Sequence, residues 1–304
     1  MPTVAVVILT YNEEIHIARA IESVASFASE IFVIDSFSTD RTTEIAAAAG
    51  AVVLKNPFIN YAKQFSWALE NAPIASDWVM RLDADELISP ELSEEIRTRL
   101  PQMENDVVGI IMPRKVVFLD RWVRFGGRYP LMLLRIWRRG HGRIEDRWMD
   151  EHMIVWGGRT VTFEGSFTDH NLNNLTFFID KHNRYATREA IDVLNKEYRF
   201  VKRDIDLSAK DTSFQAAMRR FLKEHFYNRI PFQVSALSFF LYRYFIQLGF
   251  LDRTEGLIYH FLQGFWYRFL VGAKVLELRR AIAHLQDPED IKAELRRITG
   301  LKIE

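Results

Sequence analysis

From Val4 to Met112, short apolar runs rich in β-branched residues alternate with stretches whose apolar positions recur at helical spacing. Residues 4–10 are apolar almost throughout, as a strand covered on both faces must be. Residues 14–26 have a helical period, 30–34 read as a second strand, and 40–49 as an Ala-rich helix stopped by Gly50. Strands over 51–54, 78–82 and 107–112 continue the series, with helices over 61–71 and over 90–100, the latter opened by a proline. This alternation predicts an α/β domain built on a doubly wound, Rossmann-like parallel sheet.

Beyond it, strand-like pieces at 133–137, 153–156 and 160–164 extend the sheet, with glycine pairs at 126–127 and 157–158 marking loops. Helical period returns over 174–202, and 203–213 is a polar connection. The expected organisation is therefore a catalytic domain over 1–202 and a C-terminal helical region over 203–304.

A doubly wound sheet takes its ligands at the carboxyl ends of its strands. The residues there are Thr10-Tyr11-Asn12-Glu13, Asp35-Ser36 and Asp83-Ala84-Asp85-Glu86. All three sets are polar, and two are acidic. No GxGxxG follows the first strand, which speaks against a nicotinamide or flavin dinucleotide.

Charge sharpens the division. Lys and Arg total 40, as do Asp and Glu, so the formal net charge is zero. By segment, basic against acidic residues run 7 to 17 over 1–113, 29 to 18 over 114–280, and 4 to 5 over the remainder. An acidic front and a basic back imply two kinds of partner. Within the back, 114–147 holds nine Arg and one Lys against three acidic residues, a composition suited to bidentate phosphate contacts. The acidic crevice and the absence of a recognition-helix or RNA-binding motif argue against nucleic acid. No cysteine is present, which excludes a disulfide scaffold, a zinc ribbon and a thiol nucleophile, and fits a reducing compartment. The N-terminus lacks the basic lead and small-residue cleavage site of a signal peptide.

Seventeen of the 40 aromatic residues fall between Phe214 and Phe269, and basic residues outnumber acidic ones 10 to 4 over 214–280. Rings at headgroup level beside Lys and Arg are what an interfacial membrane helix needs, and Arg243, His260, Arg268 and Lys274 interrupt any clean apolar span. A helical core or a homo-oligomer interface is the alternative use of such aromatics.

Asp83 and Asp85, spaced i and i+2 at a strand end, can share a hard divalent cation, Mg²⁺ or Mn²⁺, which bridges to substrate phosphates. An acidic triplet alone is also common in surface turns. Here Asp35 supplies acceptors suited to a base N–H or ribose hydroxyls, and Tyr11 a ring to stack on the base. Together they make the set that a sugar nucleotide requires.

The strings VVILTYNEE, FVIDSFSTDRT, NYAKQFSWAL and WVMRLDADEL, in this order and spacing, resemble the family 2 inverting glycosyltransferases of the GT-A fold, over about residues 3–200. RFGGRYP, RWMDEH and KHNRYATREA are similar to the bacterial branch that builds exopolysaccharide and lipopolysaccharide core sugars. The resemblance implies a nucleoside-diphosphate-sugar donor, a divalent metal and inversion at the anomeric carbon. It places Tyr11 and Glu13 on the nucleoside with Thr10 and Asn12 alongside, Asp35 on uracil or ribose, Asp83 on ribose or metal beside Ala84, and Asp85 on the metal. Gln64 lies in the motif that approaches the donor. Phe65 and Ser66 stand where many relatives carry a basic residue and Asn, so Lys63 is the nearest phosphate partner.

Inversion requires a general base for the acceptor hydroxyl, opposite the leaving group. Asp150-Glu151-His152 offers the candidates, with Glu151 preferred and Asp150 second. A salt-bridged turn beside Arg143 and Arg147 is the plain structural reading of that stretch. His152, His170, Arg128, Arg184 and Tyr185 are candidates for the acceptor or its phosphate, and His170, Arg184 and Tyr185 also suit ordinary packing. The reading predicts a UDP-sugar enzyme, peripheral at the cytoplasmic face of the inner membrane, acting on a lipid-linked or lipopolysaccharide acceptor. Its rivals are a polyprenyl-phosphate glycosyl synthase, whose acceptor phosphate needs no base, and a non-catalytic membrane scaffold.

Overall fold

The computed structural model describes residues 2–145, 152–201 and 231–303. The chain divides into two compact units, Met1–Asn173 and Asn174–Glu304. The division falls before the long helix over 175–198, so that helix belongs with the C-terminal region and not, as the sequence pattern suggested, with the sheet. Its buried residues, Ala186, Ala190, Ile191 and Leu194, lie at helical spacing and serve the second unit's own packing.

In the first unit the strands β1 (Val4–Thr10), β2 (Glu30–Asp35), β3 (Val52–Lys55) and β4 (Trp78–Asp83) pair in parallel in the order β3-β2-β1-β4. The helices α1 (Ile17–Val24), α2 (Thr42–Ala48) and α3 (Tyr61–Asn71) connect them. Alternation along β1 shows why the run is apolar on both faces. Val4, Val6 and Ile8 pack with Ile17, Ala20, Ile21 and Val24 of α1, while Ala5 and Val7 face Ala62, Phe65 and Ala68 of α3. Asn60 caps α3 by accepting from the Lys63 amide at 2.7 Å. After β5 (Glu86–Ile88), α4 (Pro90–Arg99) starts with Pro90 in its first turn and Ser89 as its cap, accepting from the Leu92 amide.

The other half of the sheet is mixed. β6 (Val107–Phe118) runs well past the predicted end at Met112, and its edge is shared by two parallel partners. β11 (Arg159–Thr162) pairs with Val107 to Ile111, and β12 (Phe167–His170) with Arg114 to Val117. Pro113 falls between these two pairings, where a missing N–H removes no bond on that edge, and so the strand passes through the proline. β7 (Arg121–Val123) folds back on β6, and β8 (Leu131–Arg138) lies antiparallel between β4 and β6. β9 (Gly142–Ile144) and β10 (Met153–Val155) form a separate ribbon, and β12 lies between β6 and β5, which ends the main sheet.

The second unit is helical among its described residues: α5 (Leu175–Tyr198), then helices over Phe232–Leu241, Arg253–His260, Tyr267–Ile282 and Pro288–Thr299. Among the described residues no single helix is long and apolar enough to cross a membrane. The segments Phe232–Ile246 and Gly249–Ile282 meet that test only together, as a bent pair.

Candidate active site

The strand register fixes the floor of the crevice. Thr10 lies opposite Asp35 on β2, and Leu9 opposite Asp83 on β4, so the backbone positions of two acidic residues flank the end of β1, roughly 10 Å apart across two strand spacings. Asp35 is fully buried. Its carboxylate accepts from the Ser38 amide at 3.0 Å, the Ser38 hydroxyl at 2.5 Å and the Thr10 hydroxyl at 3.4 Å. With three of its four acceptor positions taken, Asp35 supports the Ser36–Thr39 loop.

That loop is bound to the one after β1. The Asn12 amide donates to the Ser38 hydroxyl at 2.9 Å, and Asn12 Oδ1 accepts from the Thr39 amide at 2.8 Å. Asn12 itself sits at φ 55°, a conformation that Asn tolerates. Phe37 sits at φ 63°, where Phe is strained, and its ring is 52% exposed, while Tyr11 across the loop pair is 58% exposed. Two rings are thus held out at this end of the crevice. Phe37 was not foreseen, because left-handed backbone is invisible in a string of side chains.

Glu13 and His16 form a second tie. His16 is wholly buried and accepts the Leu172 N–H at Nε2, 2.8 Å away, so the proton resides on Nδ1, which donates to Glu13 Oε2 at 2.5 Å. The loop after β12 is thereby fastened to the loop after β1. Arg19 adds a bond from Nη2 to the His170 carbonyl at 3.0 Å. Glu13 is thereby tied through His16 to this wall.

Asp83 stands in a knot of charge. Tyr61 donates its hydroxyl to Asp83 Oδ1 and accepts from Arg81 Nε at 2.9 Å. Arg81 Nε is 3.7 Å and Arg135 Nη2 3.6 Å from the Asp83 carboxylate. Arg135 also donates to Glu86 Oε1 at 2.5 Å, and Glu86 Oε2 accepts the Asp83 amide at 3.0 Å. Burial opposes ionisation of Asp83, but the Arg81 and Arg135 guanidiniums and the Tyr61 hydroxyl overcome it and hold this carboxyl well below the usual range. Glu86 goes the other way: burial, with the Asp83 charge added, outweighs Arg135 and pushes it up to about 8. Burial likewise raises the Tyr61 hydroxyl well above its ordinary value. Arg135 and Glu86 are 4% and 1% exposed. Glu86 was read only as part of the acidic strand end, and Arg135 was not expected, since it reads as one polar interruption in an apolar strand and its partner Glu86 lies 49 positions away.

Asp85 is half-buried, and its Oδ2 accepts from Asn171 Nδ2 at 2.9 Å while its carbonyl accepts from the His170 amide at 2.9 Å. The side chain of His170 turns instead to Asp120, Nε2 to Oδ1 3.4 Å. Among the described residues no cluster of three or more His, Cys, Asp or Glu could enclose a metal. What the chain offers is carboxylate oxygen on an open edge. That donor chemistry fits a hard cation shared with substrate phosphates and does not fit a closed protein cage. Of the two carboxylates, Asp83 is committed to Tyr61 and two arginines, and Asp85 to Asn171.

Other candidates fall elsewhere. Gln64 is buried beneath the crevice, accepting from Asn56 Nδ2 at 2.7 Å and donating to the Ser36 hydroxyl at 3.2 Å and the Asn56 carbonyl at 3.0 Å. It supports Ser36 from there. Lys63 is half-buried on the first turn of α3, and Ala84 is packed in the core. Arg128 is half-buried in the loop before β8. His152 is exposed beside β10, its carbonyl accepting the Glu145 amide at 2.9 Å. Arg184, exposed, and Tyr185, half-buried, lie on α5 in the second unit. Asp150 and Glu151 lie outside the described residues.

A family model described as glycosyl transferase family 2 matches residues 5–226. The chain belongs to this family. An uncharacterized glycosyltransferase of Rickettsia prowazekii is 27% identical over 293 residues, covering 91% of this chain and 88% of that protein. Another, from Rickettsia typhi, is 44% identical over 96 residues, 32% of each chain, so the match spans about a third of that relative's length. Glucosyl-3-phosphoglycerate synthase of Mycobacterium tuberculosis, crystallised with Mn²⁺, UDP and glucosyl-3-phosphoglycerate, aligns at a TM-score of 0.32 and 24% identity over 38% of this chain and 44% of that one. The glycosyltransferase's α/β sheet, with polar loops at its strand ends, is the architecture that the motifs led one to expect.

Proposed function

We propose that this glycosyltransferase moves a sugar, with inversion, from a UDP donor to a lipid-linked or lipopolysaccharide-type acceptor at the cytoplasmic face of the inner membrane. The observation that carries the reading is the placing of Asp83 and Asp85 at the end of β4, beside the paired loops after β1 and β2. Those loops have the shape and chemistry for a nucleoside: exposed Tyr11 and Phe37 rings for the base, with the loop hydroxyls and amides anchored by Asp35 and Gln64.

Asp83, kept ionised by its arginines, offers acceptors to ribose hydroxyls. Asp85 holds Mg²⁺ or Mn²⁺, which when bound offsets the charge that develops on the departing diphosphate. The acceptor oxygen attacks the anomeric carbon as the bond to the diphosphate breaks, and Glu151, or Asp150 beside it, takes the hydroxyl proton. Arg residues of 114–147 suit a phosphate-bearing acceptor.

The test is UDP binding and sugar transfer by Asp85→Ala. The folded variant is expected to lose the Mn²⁺-dependent part of UDP affinity, read by calorimetry, and to lose transfer. Metal-dependent UDP binding equal to that of the wild type would refute the assignment. Glu151→Gln is expected to keep UDP binding and lose transfer. If transfer survives change at both Glu151 and Asp150, the acceptor is an ionised phosphate and the enzyme is a polyprenyl-phosphate glycosyl synthase.

A further inference from the structure

The helices from Phe232 to Ile282 return along one another as a hairpin. Gly272 lies against the Phe232 ring, Gly264 meets Phe240 at 3.6 Å from where its Cβ would stand, and the rings of Tyr244 and His260 are 6.4 Å apart. Each of these pairs sums to the same position number, which is the signature of an antiparallel register. At the turn, Gly249 admits the His260 ring, 2.7 Å from where a Cβ would stand, and Gly256 leaves room for Asp252. Leu248 at φ 61° and Arg253 at φ 59° complete the reversal.

The polarity of this tip is inverted relative to a surface in water. Arg243 is 7% exposed, Asp252 3% and His260 not at all, so the ionisable groups lie inside. Outside stand Tyr242, Phe245, Ile246, Leu248, Phe250 and Leu251, each more than two-fifths exposed, with Ile246 at 72%. Between Phe232 and Leu251, Arg243 is the one charged residue in the sequence. Burying charge while presenting large apolar side chains on a convex turn is unfavourable in water and favourable in hydrocarbon. Exposed Arg253 follows directly, and exposed Arg268 lies with its guanidinium 3.7 Å over the Phe239 ring farther up the hairpin. A guanidinium two residues past Leu251 belongs at phosphate level, which limits the tip to shallow entry, roughly 5–10 Å into the headgroup and acyl boundary.

We propose that the turn Tyr242–Leu251 inserts into a single leaflet of an anionic bilayer, as a re-entrant tip that seats the second unit on the membrane without crossing it. This deepens the membrane setting of the proposed function and rests on that reading, so vesicle binding is measured apart from UDP binding and either can fail alone. An exposed apolar turn followed by exposed Arg253, with Arg268 farther up, suits an anionic lipid surface better than the matching face of a second copy.

The chain has no cysteine, so Ile246→Cys carries a single environment-sensitive fluorophore. With the full-length protein and vesicles of phosphatidylethanolamine and phosphatidylglycerol, its emission is expected to shift to the blue and to be quenched by lipids brominated near the headgroup end of the chain. The doubly substituted Ile246→Asp/Phe250→Asp protein is expected to lose at least tenfold in vesicle affinity while its UDP affinity stays within twofold. A label that remains in water when vesicles are present, or a double variant that floats with vesicles like the wild type, would overturn the proposal. So would a blue shift that needs no vesicles and tracks protein concentration, which would give the tip to a second copy.

Discussion

Replacing Arg135 by Met removes the cation that serves two buried carboxylates at once. In the native protein its Nη2 is 2.5 Å from Glu86 and 3.6 Å from Asp83, with its guanidinium carbon 4.9 Å from the centre of the Phe167 ring. Methionine keeps much of the packing against Phe167, so the loss is chiefly electrostatic. Breaking a buried pair in this way costs about 3–5 kcal/mol, because the partner is left as an uncompensated charge. For a unit of this size that is a fall in Tm of roughly 10 °C. The loss depends on pH with a definite sign. A buried acid whose pKa is raised gives stability that is complete below its unfolded value and lost as pH rises through the folded one. Glu86 has that character already, raised to about 8, and without Arg135 it is raised further. The variant should therefore lose less stability at pH 5 than at pH 8. Urea unfolding at both values measures this, together with the Arg135→Met/Glu86→Gln double variant, which should recover most of the loss. A single variant within about 1 kcal/mol of the wild type, or a double variant no better than the single, would refute the reasoning.

Other outcomes follow from the same geometry. Glu86→Gln alone should flatten the stability profile between about pH 4.5 and 8, where the wild type loses stability with rising pH; an unchanged profile in urea titrations would show that Glu86 is not a raised acid. His16→Ala leaves the Leu172 amide and Glu13 without their partner, so hydrogen exchange at Leu172 should accelerate at least tenfold, about 1.4 kcal/mol, and an unaltered rate would mean that the tie does not hold the loop. Gln64→Leu strands the Asn56 amide and removes a donor from Ser36, at a cost of about 1–3 kcal/mol by thermal unfolding, with UDP affinity falling as well. Phe37→Gly relieves left-handed strain and should raise stability by roughly 1 kcal/mol while weakening UDP binding; stability gained with no change in affinity would remove Phe37 from the base site.

The parallel half of the sheet was legible because burial on both faces writes a continuous apolar run, as from Val4 to Leu9, and because the turn residues after each strand are polar. The start of α4 was equally plain, because Pro90 opens it. Less could be read where a residue's role depends on distant partners. Gln64 and Asp35 carry the side chains of binding residues, but tertiary packing places both underneath and leaves Ser36 and Ser38 above them. Arg135 and His16 gave no local sign, since an Arg inside an apolar strand and a His before a helix suit many environments. The end of β6 was misplaced at Pro113 because a proline normally stops a ladder, and nothing local reveals that two different strands meet there. The first unit's end near Asn173 was missed because a helical period does not say which core it faces.

β6 behaves as a ruler. One part of it, from Val107 to Ile111, carries β11, and another, from Arg114 to Val117, carries β12, whose far end delivers Asn171 to Asp85. Because side chains alternate, one inserted residue anywhere in that strand would turn every later position to the opposite face and displace Asn171 by a full step. Natural length variation in this branch of the sheet is therefore expected in the stretches between strands, at 124–130 and 139–141, and not within β6. Those stretches hold Arg124, Arg128 and Arg139 of the Arg-rich sequence proposed for the acceptor, so lengthening them is expected to alter the acceptor side while the ruler keeps the count.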